Sequence, residues 1–571
     1  MTQATPEQFE LRSQSMGALP LLGFFLARMG LAEHLQSYLP RDDARLRLAP
    51  AAVIGLLVRS IVVARRPLYA LAEWAALCDQ ALLGLEPGDE AALNDDRVGR
   101  TLDRLFDADR ASLITGCVLA VVREFGVSLA QLHNDSTSVT LSGSYAGADG
   151  RPRGGKATPA IRHGHNKDFR PDLKQLLFIL TATADGAVPI ACRVADGNTP
   201  DEVTHVPTWD ELRALVGHAD FLFRGGRQAL LERGHGPHRR PRWALRHRPS
   251  LAGAARTPGS ATGRRATLPP GGWRFGVPAR ASVITSESGA PSRPRRPRSM
   301  ATGWSHVHSS GKAARDAAAR AARIEAGLAA LDLLAARLAG PKTRLKTRVS
   351  AEEAAAVALT AAGATRWVGF TITEAKEVAF RQERRGHPGS ETRYRRSEKP
   401  VFTVSAAIHA EAVAYDAATD GCFPLITNDV AMSPAEVLAA YRYQPHLERR
   451  HHMLKGPQEV APVYLQTPQR IEALLLCHFL AMLAEALIER EIRTSMKSAG
   501  LPGIPLYPEL RSCPCPSAPR ILEIFRDVQR HELVSEGEVV QSFEPHLTPL
   551  QQQVLELLHV PASVYAGANA V

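Results

Sequence analysis

Apolar positions three and four apart recur through PLLGFFLARMGLAEHL, APAAVIGLLVRSIVVARR and LNDDRVGRTLDRLFDADRASLITGCVLAVVREFG, so the chain from Leu19 to Phe125 reads as helical. Asn94 is placed to cap the third of these stretches, with Asp95 and Asp96 favourable in its first turn. The period then changes. SLAQLHNDSTSVTLSG is a β-branched strand, and QLLFILTATADGAVPIACRVADG reads as two strands joined at Asp185-Gly186, a strong hairpin signal. A helix follows from about Thr199-Pro200, and ADFLF opens a further buried strand. Strand, hairpin, helix and strand in that order predict an α/β arrangement.

Periodicity fails between Arg224 and Met300, where Arg, Pro and Gly dominate, and this stretch is not expected to form a packed core. It resumes with the Ala-rich amphipathic helix SSGKAARDAAARAARIEAGLAALDLLAARL. TRWVGFTITEA and KPVFTVSAAIHA resemble strands around the polar RQERRGHPGSETRYRRSE, and CFPLITNDV is a short strand. SPAEVLAAYRYQPHLERRHHMLKG is helical, with a break near Gln444 because Pro445 suits a first helical position and not an interior one. Ile471 to Arg493 is a longer buried helix, and the tail from Leu501 is a Pro-rich linker leading to one or two short helices. The organisation expected is a helical part over residues 1–128, an α/β part over 129–223, the irregular segment 224–305, a mixed insertion 306–420, the α/β part resumed over 421–500, and the tail 501–571.

Charge sharpens this division. The chain of 571 residues carries 69 Lys plus Arg against 58 Asp plus Glu, a net charge of +11, which fits a polyanionic partner. Residues 224–300 hold 17 Arg, no Lys and only Glu232 and Glu287 as acids, a local +15 that leaves the remainder at −4. Seven scattered cysteines do not make a secreted disulfide framework, and Cys513 and Cys515 lack the further ligands of a structural zinc. The apolar stretch from Ile471 to Ile488 contains Glu472, His478 and Glu485 and reads as a core helix, and MTQATPEQFE is unlike a signal peptide. A reducing cytoplasmic setting, with neither membrane segment nor export, is the expectation.

Two carboxylates stand out by context. Asp135 lies within a β-branched strand, where an acid is costly unless it is paired, binds a metal, or bonds the neighbouring Ser136 and Thr137 at a strand end. Glu448 falls in the first turn after Pro445, with Lys455 seven residues on along the same face and His451 and His452 nearby. A carboxylate and a lysine so placed suit a metal-held phosphate and its neighbour, or simply a solvated charged face.

Tyr441, Gln444, Glu448 and Lys455 are spaced like the Tyr, Arg, Glu, Lys signature of the DDE transposases of bacterial insertion sequences, in the insertion-sequence-four superfamily; Gln444 stands where many members carry Arg. HNDSTSVTLSG is similar to that family's first-Asp strand, RHGHNKDFRPDLKQLLF to its GHSKDHRPDLKQ segment, and NDDRVGRTLDRLFD to the end of its helical N-terminal domain. The resemblance covers about residues 50–223 and 306–490. It implies a ribonuclease-H-like core with a helical N-terminal DNA-binding domain and a β-containing insertion. It also implies two Mg²⁺ or Mn²⁺ ions held by two Asp and one Glu, with Asp135 and Glu448 among them, and double-stranded DNA as partner, both terminal repeats and target, bound by a dimer at synapsis. Tyr441, Gln444 and Lys455 would contact the DNA end, and Arg449 is added to them by its position.

The second catalytic Asp is missing. Its slot is near Gly226; Asp220 is a weak candidate, six residues too early in the strand. The segment is compatible with translation out of frame from a GC-rich gene. Arg224 to Leu231 can be written CGT GGC GGA CGG CAA GCT CTG CTC, and the frame one nucleotide later gives VADGKLC, with an Asp in the slot. Resemblance resumes near His308, which requires a compensating shift around Trp304. The expectation is therefore a transposase with strongly impaired activity. A non-catalytic Arg-rich nucleic-acid binder and a two-metal nuclease of the same fold are the alternatives.

Overall fold

The computed structural model describes residues 9–41, 46–218, 220–225, 230–233, 281–284, 303–340, 343–427, 429, 431–461, 463–536 and 538–566. It is a mixed α/β protein with several sheets, divided into two compact units. Most of the arginine-rich stretch 224–305 lies outside the described residues, as does the expected slot at Gly226.

The first unit opens with strand β1 (Phe9–Ser15) and the helices α1 (Leu19–Arg28), α2 (Leu31–Tyr38), α3 (Pro50–Val63), α4 (Leu71–Leu77), α5 (Gln80–Leu83), α6 (Asp95–Asp107) and α7 (Arg110–Phe125). Asn94 caps α6 by accepting from the Arg97 N–H at 2.8 Å, as its position in the sequence predicts. Strand β2 (Gln131–Leu141) pairs antiparallel with β3 (Lys174–Thr183), which pairs antiparallel with β4 (Pro189–Asp196). Positive φ falls on Gly186 and Ala187, one residue beyond the expected pair. A Cβ at Gly186 would come within 2.9 Å of the Arg490 side chain, so the turn and that arginine fit only because the residue is glycine.

After α8 (His205–Val216), strand β5 (Leu222–Gly225) returns parallel to β2, and β6 (Leu230–Arg233) pairs antiparallel with β5. Within this unit the strands run in the order β4-β3-β2-β5-β6, so β2 is an interior strand, paired on both sides.

In the second unit, β7 (Ala281–Ile284) and β8 (Gly303–Ser309) pair antiparallel, and the latter leads into α9 (Ser310–Ala339). α9 and α10 (Arg348–Ala361) bury Leu331, Leu334, Leu338, Ala351, Ala355 and Leu359 against Val368, Ile372 and Phe402. The last three belong to the long antiparallel hairpin of β9 (Val368–Gln382) and β10 (Tyr394–Ile408). The strands run well into the stretch whose Gly, Pro and charge content reads as a turn. α11 (Ala410–Thr419) and β11 (Cys422–Thr427) follow.

The chain passes through α12 (Pro434–Arg442) to the rest of the first unit: α13 (Gln444–Lys455), α14 (Pro468–Ser498), α15 (Ala518–Glu523), β12 (Gln529–Ser535), β13 (Glu538–Phe543) and α16 (Pro549–Leu557). Pro445 sits in the first turn of α13, where its missing N–H costs nothing. The tail is not a linker with helices alone: β12 pairs with β1 and β13 in a three-stranded sheet.

By length and composition α14 could cross a membrane, with a mean hydropathy of 2.0 over its most apolar 18 residues, yet 89% of that window is buried. It packs against α3, α6 and β4, and inside it Glu485 and His478 both bond Gln458. Arg450 of α13 reaches Glu489 of α14 at 2.9 Å, the two being 2% and 1% exposed. Its other guanidinium donors meet the carbonyls of Gly186 and Ala187, both at 2.9 Å. One arginine thus ties α13, the β3–β4 turn and α14 together.

Candidate functional site

Asp135 sits near the middle of β2 opposite Leu180 of β3. Its Oδ1 accepts from the Ser136 N–H at 2.9 Å and lies 3.7 Å from Lys167 Nζ. Lys167 also donates to the Ser136 carbonyl at 2.6 Å and to its hydroxyl at 2.8 Å. The loop carrying this lysine is held from inside: Asn166 is buried, donates to Gln175 at 2.9 Å, and accepts from the Asp168 N–H at 2.8 Å. The HNKD segment therefore places a cation beside Asp135, a neighbour that the strand pattern around Asp135 does not signal.

Helix α13 packs against β2 and supplies the other face. Glu448 and Arg449 are exposed on it, whereas Gln444 and His451 are buried. Burial pushes the His451 imidazolium down to about 4; the Asp135 charge opposes this shift, and Lys167 and Lys455 reinforce it. Lys455 forms an ion pair with Asp168 at 2.5 Å. Lys455 thereby joins the C-terminal end of this helix to the HNKD loop.

Between these elements stands Arg224 of β5, only 3% exposed. Its Nη1 donates to Gln444 Oε1 at 2.5 Å, and its guanidinium lies 4.6 Å from the centre of the Tyr441 ring. Desolvation lowers its pKa, while Tyr441, Asp135 and Glu448 act in the opposite direction, so this one cation feels both carboxylates. Its Nε is buried without a hydrogen-bond partner. Behind it, burial brings His133 down to about 3, helped by the Arg224 charge. Gln444 and Tyr441, expected at a DNA surface, are committed to Arg224.

The parallel register aligns Gly225 with Asn134, the residue before Asp135. Asp220 is five residues back along the chain, roughly 16 Å at about 3.3 Å per residue, and is exposed. It stands before the start of β5, whereas the other end of that strand, at Gly225, lies beside the Asp135 region of β2.

Among the described residues no three His, Cys, Asp or Glu side chains group as a metal site. Gly226 has no side chain to offer, and a buried guanidinium serves the charge of Asp135 and Glu448.

Residues 11–119, from β1 into α7, match a family model described as a domain of unknown function, DUF4277, a domain found in transposase-like proteins. No curated protein and no solved structure matches the chain.

Proposed function

We propose that this chain is a DDE-type transposase of the insertion-sequence-four superfamily that keeps DNA recognition and has largely lost strand cleavage. The observation that supports the reading is that buried Arg224 of β5 feels the charges of both Asp135, on β2, and Glu448, on the helix packed against β2. The order β4-β3-β2-β5, antiparallel across the hairpin and parallel between β2 and β5, supports a ribonuclease-H-like core. The match over residues 11–119 supports assigning the helical part to DNA ends.

On this reading the chain's own residues bind and orient DNA. Arg449 and His452 are exposed on the helix that carries Glu448 and face a backbone phosphate, while Arg450 holds that helix against the sheet. Arg224 neutralises the carboxylates that would otherwise hold Mg²⁺ or Mn²⁺, which leaves the site without a means of cleaving the strand. Two DNA ends would be brought together by a dimer.

The test uses purified full-length protein and duplexes carrying the ends of the element that flanks its gene. Preference for those ends over mixed-sequence duplex, without strand nicking in Mg²⁺ or Mn²⁺, is the expected result. Binding with no preference for the ends would defeat the transposase reading. Sequencing the gene adds an independent check, since the shifted frame must encode Val-Ala-Asp across codons 224–226.

A further inference from the structure

The β9–β10 hairpin leaves its core early. Val368, Ile372 and Phe402 anchor its base, but from the Ala375–Val401 pair to the Gln382–Tyr394 pair the eight cross-strand pairs project beyond it, roughly 26 Å of ribbon at about 3.3 Å per residue. Residues 373–381 and 393–400 are all exposed, so side chains on both faces of the ribbon stand in solvent. A lone two-stranded ribbon is marginal in water and needs a partner to lie against.

Its charge says which partner. From Arg381 to Arg396 the segment has six Arg against Glu383 and Glu391, a net +4 in 16 residues, whereas the chain outside residues 224–300 is net negative. Arg381 is directly opposite Arg395, and Arg393 follows on the same face through the Glu383–Arg393 backbone pair. Like charges placed opposite each other destabilise a free ribbon. Arg396 is satisfied by Glu398 at 2.8 Å, but among the described residues Arg381, Arg384, Arg385, Arg393 and Arg395 form no ion pair. On the other face Phe380 is 65% and Tyr394 52% exposed, so that face offers apolar and aromatic surface alongside Arg396.

We infer that this hairpin is an arm that lies in a groove of double-stranded DNA, its guanidinia on the phosphates. The major groove admits a two-stranded ribbon, and a row of unpaired guanidinia matches the phosphates that border it. The inference shares only its partner class with the proposed function: it does not depend on Asp135, Glu448 or any cleavage.

The experiment measures binding of full-length protein to a mixed-sequence duplex by fluorescence anisotropy between 50 and 300 mM salt, for the parent and for Arg381→Gln/Arg395→Gln. Each lost phosphate contact lowers the slope of log K against log salt by about 0.9, so the double variant should lose about 2 in slope and about tenfold in affinity near 0.1 M salt. The arginine-rich stretch is common to both proteins and cancels. The substituted residues lie outside the core, so an unchanged thermal melt confirms folding. Equal slopes and affinities would overturn the inference. So would self-association by sedimentation that the double variant abolishes while DNA binding stays intact, which would make the arm a contact between copies. Loss of slope together with no preference for element ends would uphold the arm and defeat the transposase reading.

Discussion

Arg224 donates to Gln444 at 2.5 Å from inside the site that Asp135 and Glu448 border. An arginine in this place does what a divalent ion would do electrostatically, but it can neither activate water nor carry a leaving oxygen. On the proposed reading the charge is balanced and the cleavage chemistry is lost.

Replacing that cation should reopen the site to metal. In Arg224→Val/Gly226→Asp, with a third acid supplied and the competing charge removed, Mn²⁺ should bind at least about tenfold more tightly than to the parent, read from the free-ion signal in electron paramagnetic resonance. Asp135→Asn added to this variant should return binding to the parent level. Equal Mn²⁺ affinity in all three proteins would mean that Arg224 does not govern the site.

The buried pair of Arg450 and Glu489 predicts a stability effect. Arg450→Met removes the closer guanidinium from buried Glu489, leaving Arg493 at 3.3 Å, and frees two carbonyls of the β3–β4 turn, so urea unfolding should show a loss of about 3 kcal/mol. Arg450→Met/Glu489→Leu should recover part of it. If the single variant unfolds like the parent, the clamp does not position α13.

Stability should climb from pH 4 and level off a little above pH 7, because three depressed histidines outweigh one raised carboxyl. Burial raises Glu485 to about 7 against an ordinary value of 4.5, so the folded state holds a proton that the unfolded state has released, and this contribution to stability falls as pH rises between those values. His133, His451 and His478 are depressed to about 3, 4 and 3, so below 6.5 the unfolded state takes up protons that the folded state refuses, and stability falls on acidification. Glu485→Gln removes the opposing contribution and should steepen the climb between pH 4.5 and 7, as measured by thermal melts from pH 4 to 8.

Thiol reactivity should be confined largely to one residue. All seven cysteines are free, but only Cys515 is exposed, and burial pushes Cys78, Cys117 and Cys477 up to about 12. Native protein should therefore release about one equivalent rapidly with an aromatic disulfide reagent, and about seven after denaturation. Several fast thiols in the native protein would contradict this packing.

Long periodic elements and strong turn signals were legible in the chain: α6 with its Asn94 cap, the hairpin around Gly186, the break before Pro445 and the buried α14. Strand β1 was not, because FELRSQS is mostly exposed and is held by β12 from the other end of the chain. The tips of β9 and β10 were hidden by residues that read as a turn but are paired through the backbone. In the site, Asp135 and Glu448 announced themselves by charge in an unusual context. Lys167 and Arg224 did not, since each acts through tertiary placement that no local pattern encodes. The same placement buries Gln444 and sets the Tyr441 ring against Arg224.

On the proposed reading, cleavage has been lost while the site's architecture persists. The most direct measurement is nicking of the element's own ends by the parent protein in Mn²⁺, beside Asp135→Asn. The two proteins should be indistinguishable and at background; nicking by the parent that Asp135→Asn removes would contradict the loss of cleavage.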